Sequence, residues 1–214
     1  MYTPRLFELD DLAALHAQVR AHPFALLITP HAGEVHLTHL PFHLEARGVN
    51  GTLEAHLARA NPHCAALLAG APSTVVFRGP DAYVSPRWYQ DPKVNVPTWN
   101  YVAIHAHGRP IAHEDPETIL AFIGRLTDEH EAYIEEPWSV REAQAHAASL
   151  TRAVLAFELP IDSLEGKSKL SQNRSPADRK GVMEQFRKSG QAHHREMLEL
   201  MDALYLPDGQ KRPL

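Results

Sequence analysis

The segment from residue 79 to residue 108 combines large aromatic rings with short polar side chains. Its members with this chemistry are Ser85, Trp88, Thr98, Trp99, Asn100 and Tyr101. Aromatic rings can cover the face of a flat ligand, while hydroxyl and amide groups can bind its polar edge. The segment therefore predicts a pocket for a flat, partly polar molecule. A hairpin whose aromatic residues pack the hydrophobic core remains the alternative.

Two further segments carry groups that could bind an anion or a ligand edge. In HLARANP, which ends at Pro62, His56, Arg59 and Asn61 lie at a strand-to-helix transition. Free backbone N–H groups at a helix start, together with a guanidinium group, suit a phosphate. The alternative is a surface arginine beside a capping loop. In THLPF, His39 lies two residues before Pro41, and a proline in an alternating strand predicts a strand edge or bulge with backbone groups free to bind a ligand.

A third polar segment, GKSKLSQNR, follows the last predicted strand. Its chemistry-bearing residues are Lys169, Ser171, Gln172, Asn173 and Arg174. GKS resembles part of a phosphate-binding loop, but the upstream glycine that such a loop requires is missing. The segment is predicted to fold over a ligand and supply positive charge to an anion. A solvated tail is the alternative.

The elements that would position these groups are mostly strands. The alternating pattern predicts five or six antiparallel strands closing into a barrel, with one short helix inserted. STVVFRGP is predicted to be a strand that ends at Gly79-Pro80, and a further strand is predicted over residues 154–166. Helices are predicted near the N-terminus, over residues 115–133 with Asp115 as N-cap, from Ser139 onward, and in the last thirty or so residues, with a break at Gly190. The class is mainly β with flanking helices (α+β).

Composition and charge argue against several classes of function. The chain of 214 residues has a formal net charge of −5, which disfavours autonomous DNA binding. A single cysteine, Cys64, excludes an internal disulfide, and no signal pattern or membrane-length apolar run is present, so a cytoplasmic protein without membrane contact is expected. The 15 histidines are scattered without zinc-ligand spacing, so no metal site is predicted. No catalytic triad or nucleophile is nominated.

Six motifs in order carry a resemblance to a known family: MYTPRLF, THLPF, HLARANP, GPDAYVSPRWY, VPTWNY and KLSQNR. Together they resemble the PaiB family, which are FMN-binding negative transcriptional regulators related to the pyridoxamine-phosphate-oxidase-like split barrels. The likeness covers about residues 1–185. It implies a six-stranded antiparallel split β-barrel, a homodimer, and FMN held at the subunit interface. Residues 186–214 would form a C-terminal helical tail.

The resemblance assigns the candidate groups to parts of FMN. Trp88, Trp99 and Tyr101 would cover the isoalloxazine, and His56 and Arg59 would bind the phosphate. The ribityl chain or ring edge would be bound by Ser171, Gln172 and Asn173. The full set of expected cofactor-binding residues is His39, His56, Arg59, Asn61, Ser85, Trp88, Thr98, Trp99, Asn100, Tyr101, Lys169, Ser171, Gln172, Asn173 and Arg174.

Three functions are compatible with this interpretation. The first is a flavin-binding regulator or sensor that acts through DNA or a protein partner, although the acidic charge argues against direct operator binding. The second is an FMN-dependent oxidoreductase, in which the cofactor supplies the redox step and no catalytic side chain is needed. The third is haem handling, for which no histidine spacing selects an axial ligand.

Overall fold

The computed structural model describes residues 1–143, 149 and 151–211. In these ranges nine strands form one antiparallel sheet: β1 (Glu8–Leu9), β2 (Phe24–His31), β3 (Glu34–Pro41), β4 (His43–Glu45), β5 (Thr52–Ala58), β6 (Ser73–Val84), β7 (Thr98–Gly108), β8 (Ile111–His113) and β9 (Val154–Lys169). They are accompanied by the helices α1 (Leu12–Ala21), α2 (His63–Leu68), α3 (Pro116–Glu131), α4 (Pro176–Ser189) and α5 (Ala192–Leu204). The predicted mainly β fold with flanking helices is confirmed.

The sheet differs from the prediction in number of strands and in closure. Its order is β3-β2-β6-β7-β9-β5-β4, with β1 and β8 pairing additionally to β9. The prediction that five or six strands close into a barrel was wrong, because nine strands are present and no pairing in the described ranges joins β3 to β4. The additional strands β1, β4 and β8 have 2, 3 and 3 residues, too few for an alternating pattern to reveal.

Strand β6 shows why one predicted boundary was wrong. Gly79-Pro80 was expected to end a strand, yet β6 continues from Ser73 to Val84 as a single element. A side chain at Gly79 would place its Cβ 3.0 Å from the Cβ of Val102. The glycine therefore permits a close approach of neighbouring backbone rather than marking a turn.

The chain forms two compact units, each assembled from separate stretches of sequence. The first unit consists of residues 1–10, 78–103 and 166–214, and the second consists of residues 11–77 and 104–165. The core of the second unit includes Phe42, whose ring meets those of Phe77 at 5.8 Å and Phe157 at 6.2 Å, both edge-on. Burial of these rings stabilises the strands that carry them.

The core of the first unit is formed mainly by its C-terminal helices. Met183 and Phe186 of α4 and Met197 and Met201 of α5 are fully buried there, together with residues from β6. The predicted break is confirmed, since Gly190 separates the two helices with a left-handed φ of 65°. The predicted domain boundary after residue 185 falls inside α4 and remains a prediction.

Helix ends follow the predicted capping chemistry. Asp115 caps α3 by accepting a hydrogen bond from Thr118 N at 2.8 Å, and Pro116 is the first helical residue, as predicted. The alanine-rich helix predicted from Ser139 falls partly on residues 144–148 and 150, outside the described ranges; of its described residues, Val140–Ala143 form a 3₁₀ turn, and 149 and 151–153 are helical. No helix of the described residues is long and apolar enough to span a bilayer.

Candidate functional site

Residues 167–174 run from the end of β9 towards the start of α4 and carry three cationic side chains. We call this segment the basic strap. Lys167 and Lys169 belong to the last residues of β9, and Arg174 precedes Ser175, which caps α4 by accepting a hydrogen bond from Asp178 N at 3.1 Å. A strand end and a helix cap therefore fix both ends of the strap.

Neutral groups hold the three cations in place. The Lys167 ammonium lies 5.2 Å from the ring centroid of Tyr101 and donates to the carbonyl of Tyr2 at 3.2 Å. The Lys169 ammonium donates to Thr98 Oγ1. No carboxylate in the described part of the chain forms an ion pair with Lys167, Lys169 or Arg174.

The guanidinium of Arg174 is also fixed by neutral partners. It lies 4.3 Å from the ring centroid of Tyr89 and donates to Asn95 Oδ1 at 2.5 Å. A cation stacked on an aromatic ring keeps its full charge and part of its donor capacity. Arg174 can therefore still contribute to the binding of an anion.

The electrostatics of the strap favour an added negative charge. Burial lowers the pKa of Lys169, and the neighbouring charges of Lys167 and Arg174 lower it further. Like charges held together cost free energy, and an anion placed among them would remove that cost. A phosphate group with up to two negative charges fits this set of donors.

Two predicted ligand contacts, Asn100 and Ser171, are instead buried and bonded to each other. Asn100 is 1% exposed, its amide donates to Ser171 Oγ at 3.0 Å, and that hydroxyl donates back to Asn100 Oδ1 at 3.2 Å. Ser171 adopts a left-handed φ of 66°, which lets the strap turn there. This pair positions the strap on β7 and leaves little surface for a ligand.

Gln172 is likewise bonded within the strap. Its side chain accepts from Leu170 N at 2.6 Å and donates to the carbonyl of Ser168 at 2.5 Å. Asn173 is exposed. Ser85 accepts a hydrogen bond from Arg87 N at 3.2 Å and so caps a short 3₁₀ turn, as surface turns commonly require.

The three aromatic residues have different environments. Trp88 is partly buried against the helical core of the first unit, where its ring meets that of Phe186 at 5.7 Å. Trp99 is 52% exposed and packs edge-on against Tyr83 at 5.9 Å, while Tyr101 lies under the Lys167 ammonium. Exposed area makes Trp99 the better candidate to cover a flat ligand, whereas Trp88 already has a packing role.

The predicted site in HLARANP belongs to the second unit and has its own charge balance. The Arg59 guanidinium is paired with Glu114 at 2.5 Å. Burial lowers the pKa of His56, whose Nδ1 is buried without a hydrogen-bond partner among the described residues. An imidazole whose pKa is lowered by burial and a guanidinium already paired with a carboxylate bind a phosphate less well than the cations of the basic strap, which have neutral partners.

The other two predicted residues of the second unit serve its local structure. Asn61 accepts from His63 N at 2.9 Å and donates to Thr38 Oγ1 at 3.3 Å, so it links the start of α2 to β3. His39 is exposed and stacks on Phe24, with 6.1 Å between ring centroids. The predicted residues thus fall in both units, and their contact with a cofactor remains a prediction.

Sequence reasoning missed Lys167 and the N-terminal Tyr2 of the first unit. The available signal was strand periodicity, since residues 167 and 169 are two apart and so lie on one face of a strand that continues past Gly166. The expected end of the strand at residue 166 concealed it.

Some known proteins are similar to this chain in sequence, and others are similar to it in fold. Residues 1–163 match a family model described as "Putative FMN-binding domain". The protease synthase and sporulation protein PAI 2 of Bacillus subtilis (strain 168) is 28% identical over 204 residues, which are 94% of this chain and 97% of that protein. The resemblance to PaiB inferred from the motifs is confirmed.

Two solved structures share the fold. The FAD and haem binding protein of Mycobacterium smegmatis aligns with a TM-score of 0.60 and 20% identity over 76% of this chain and 73% of its own. The flavocytochrome Anf3 of Azotobacter vinelandii aligns with a TM-score of 0.55 and 17% identity over 78% of this chain and 72% of its own. At such identities the likeness shows the fold, which is that of the flavin-binding split barrels.

Proposed function

The chain belongs to the family described as "Putative FMN-binding domain", and from that premise we propose that it is a PaiB-type flavoprotein, a negative transcriptional regulator or flavin-dependent sensor, whose FMN phosphate is bound by the basic strap. One observation carries the assignment of the strap. Lys167, Lys169 and Arg174 lie together with neutral partners, while the alternative cation, Arg59, is already paired with a carboxylate.

FMN has three chemically distinct parts, and the described residues offer groups for each. The phosphate suits the cations of the strap, the ribityl hydroxyls suit Thr98 and Asn173, and the isoalloxazine suits the exposed ring of Trp99 and that of Tyr101. Bound FMN would supply electron transfer, and the residues of the chain would bind and orient it.

The regulatory role rests on the relationship to PAI 2, whose name describes protease synthesis and sporulation. The net charge of −5 argues against direct binding to DNA, so we propose that regulation acts through a protein partner or through the redox state of the flavin, in the cytoplasm. The alternative is an FMN-dependent oxidoreductase acting on a small molecule. This alternative is compatible with a chain that has no nominated catalytic residue, because bound FMN would itself supply the redox step.

A homodimer is part of the proposal, and one face of the second unit suits it. The register of β2 and β3 places Ile28 opposite Leu37 and Pro30 opposite Val35. Phe24, Val35 and Leu37, which we call the outer patch, are 66%, 60% and 61% exposed. Neighbouring apolar side chains this exposed are typical of an interface, and a second copy of the chain offers the same patch in return.

The first experiment is an FMN titration of the purified full-length protein, followed by its visible spectrum and its mass in solution. The proposal predicts a dimer that binds about one FMN per chain, with flavin absorbance retained after gel filtration. A protein that remains colourless and does not bind FMN would contradict the cofactor assignment. NADPH or NADH oxidation that depends on added FMN would favour the oxidoreductase over the regulator.

The dimer is tested separately with a substitution in the outer patch. Leu37→Lys places a charge on that face and is expected to yield a monomer by light scattering. Val49→Lys is the matched control, because Val49 is 88% exposed in the segment between β4 and β5 and is not a member of the outer patch. A dimer that survives Leu37→Lys would move the interface elsewhere.

A further inference from the structure

A buried arginine of α4 is bonded to the basic strap and has only neutral partners. Arg179 is 8% exposed, and its guanidinium lies 4.7 Å from the ring centroid of Tyr205. Its Nε donates to the carbonyl of Gly209 at 2.7 Å, and its Nη1 donates to the carbonyl of Arg174 at 2.6 Å. Among the described residues no carboxylate forms an ion pair with it.

The acidic residues nearest to these groups in the sequence use their carboxylates elsewhere. Asp178 accepts a hydrogen bond from Gln90 N at 2.8 Å, and Asp208 accepts one from Gln210 N at 2.9 Å. Burial of a guanidinium costs free energy that neutral acceptors recover only in part. Arg179 therefore adds uncompensated positive charge next to the strap, and an anion bound at the strap would offset it.

Arg179 and Tyr205 hold the backbone of the strap at two points. The Tyr205 hydroxyl donates to the carbonyl of Leu170 at 3.2 Å, while Arg179 holds the carbonyl of Arg174. The left-handed turn at Ser171 lies between these two carbonyls. The conformation of the strap therefore depends on two side chains that are both buried.

The same arginine reaches residues 205–211, which we call the C-terminal turn. Within it, Gly209 N donates to the carbonyl of Leu206 at 2.8 Å. Gly209 has a left-handed φ of 82°, and a Cβ at this position would collide with the carbonyl oxygen of Pro176, so the turn packs tightly on the start of α4. Arg179 thus connects the end of the strap with a close-packed turn.

We propose that Arg179 is a positioning residue of the phosphate site, which fixes the strap for a phosphate monoester and couples its binding to the packing of the C-terminal turn. The inference rests on the proposed function, in which the strap binds the FMN phosphate. Opening of the turn would free Arg179 and with it the strap. Because such coupling is reciprocal, phosphate binding slows the opening of the turn, and loss of Arg179 weakens phosphate binding.

The test compares FMN with riboflavin, which has the same ring and ribityl chain but no phosphate. Fluorescence quenching gives both Kd values for the full-length protein, and the ratio of the riboflavin Kd to the FMN Kd is the phosphate preference. Arg179→Met keeps most of the volume and removes the charge, so it should lower this preference about tenfold by weakening FMN alone. Arg179→Lys restores the charge without the fork and should lower it only about threefold.

Two further variants make the result specific. Arg187→Met is the matched control, because Arg187 lies on the same helix, has a side chain 46% exposed and is paired with Asp202 at 3.0 Å. It should leave the phosphate preference within about twofold of wild type. Tyr205→Phe removes only the hydroxyl that holds the strap and should lower the preference about three- to tenfold. This variant decides the question if Arg179→Met does not fold.

Hydrogen exchange of the C-terminal turn is the second readout. The amides of Leu206 and Gly209 both donate within the turn at 2.8 Å. In wild-type protein, saturating FMN should slow their exchange at least about fivefold, whereas saturating riboflavin should not. In Arg179→Met the protection by FMN should be lost. Turn amides of the wild type that exchange equally with FMN and with riboflavin would overturn the coupling.

The affinity measurements also separate this inference from the proposed function. If Arg179→Met weakens FMN and riboflavin equally, or weakens neither, Arg179 serves packing alone and the inference is wrong. If Lys169→Ala lowers the phosphate preference while Arg179→Met does not, the phosphate assignment stands and only the inference fails. If Lys169→Ala leaves the preference unchanged, the strap does not bind the phosphate and both fail.

Discussion

The turn that joins β5 to α2, within the HLARANP segment (residues 56–62), and the basic strap look equally suited to a phosphate in the sequence. In the structure they differ in the partners of their cations. We call the first region the β5–α2 turn. At the turn, Arg59 is paired with Glu114 at 2.5 Å, and burial lowers the pKa of His56 in the adjoining β5. In the strap, Lys169 and Arg174 are held by a hydroxyl, an amide and an aromatic ring. The carboxylate of Glu114 neutralises the cation at the turn, whereas the neutral partners in the strap leave its positive charge uncompensated.

This difference shows that the partner of a cation matters more than its motif. An arginine beside a helix start matches a phosphate site in composition, but its charge is available only if no carboxylate has taken it. The carboxylate here, Glu114, is 55 residues away in the sequence, so no local pattern reveals it. Substitutions in and around both regions test the contrast, and the largest effect is expected in the helix that supports the strap.

Gly181→Ala in α4 should have the largest effect. A Cβ at this position would lie 2.1 Å from the backbone oxygen of Trp88, so either the helix or the 86–88 turn must move. We expect the free energy of unfolding to fall by about 3 kcal/mol or more, measured by urea denaturation. FMN affinity should fall as well, because α4 begins where the strap ends.

Gly124→Ala in α3 is the matched control for that substitution. The nearest atom to its Cβ would be Val140 Cγ1 at 3.5 Å, an ordinary contact. Alanine should therefore stabilise the helix by about 0.5–1 kcal/mol. If Gly181→Ala proves as stable as Gly124→Ala, close packing of α4 does not support the strap.

Lys169→Ala against Arg59→Ala is the direct comparison of the two regions. Loss of a charge-assisted contact to phosphate is worth about 1.5–3 kcal/mol, so Lys169→Ala should raise the Kd for FMN about 10–100-fold. Arg59→Ala should raise it less than about threefold, because its guanidinium already has a partner. Fluorescence quenching of FMN measures both values. The reverse ranking would return the phosphate to the β5–α2 turn.

Much of the fold was accessible from the sequence because its signals are local. The cap formed by Asp115 and Pro116 and the break at Gly190 each depend on a few adjacent residues. Strand number was not accessible, because strands of two or three residues exist only through pairing with distant strands, β1 and β8 with β9 and β4 with β5. Gly79 misled the prediction since a glycine can end a strand or permit a close approach, and only the position of Val102 decides between them.

The candidate site was accessible in its composition but not in the role of each residue. KLSQNR was correctly recognised as a polar, cationic segment, yet Asn100 and Ser171 turned out to bind each other. That pairing joins residues 71 apart in the sequence.

His63→Gln tests whether the region around the β5–α2 turn is structural. His63 is 1% exposed, and burial, with a smaller contribution from His36, lowers its pKa to about 4. Because the unfolded chain protonates this group near its usual pKa and the folded chain does not, stability is lost as pH falls from about 6.5 towards 4. Between pH 7 and pH 5 the loss should be about 1–2 kcal/mol.

The variant should flatten that dependence when unfolding is measured by urea at each pH. Lys169→Ala serves as the reference, since its pH dependence in this range should match that of wild type. An unchanged slope in His63→Gln would show that His63 is already protonated in the folded state or exposed to water. The region would then be open enough to admit a ligand.

Glu114→Gln should have the smallest effect on stability and still discriminates between the two regions. The pair with Arg59 is partly exposed, with side chains 37% and 58% accessible, so removing its charge should cost no more than about 0.5 kcal/mol of unfolding free energy. The substitution also releases the Arg59 guanidinium while preserving the shape of its partner. If the strap alone binds the phosphate, the Kd for FMN stays within about twofold of wild type. If it falls tenfold, a change of about 1.4 kcal/mol, Arg59 competes between Glu114 and the cofactor, and the charge balance of the turn regulates binding instead of preventing it.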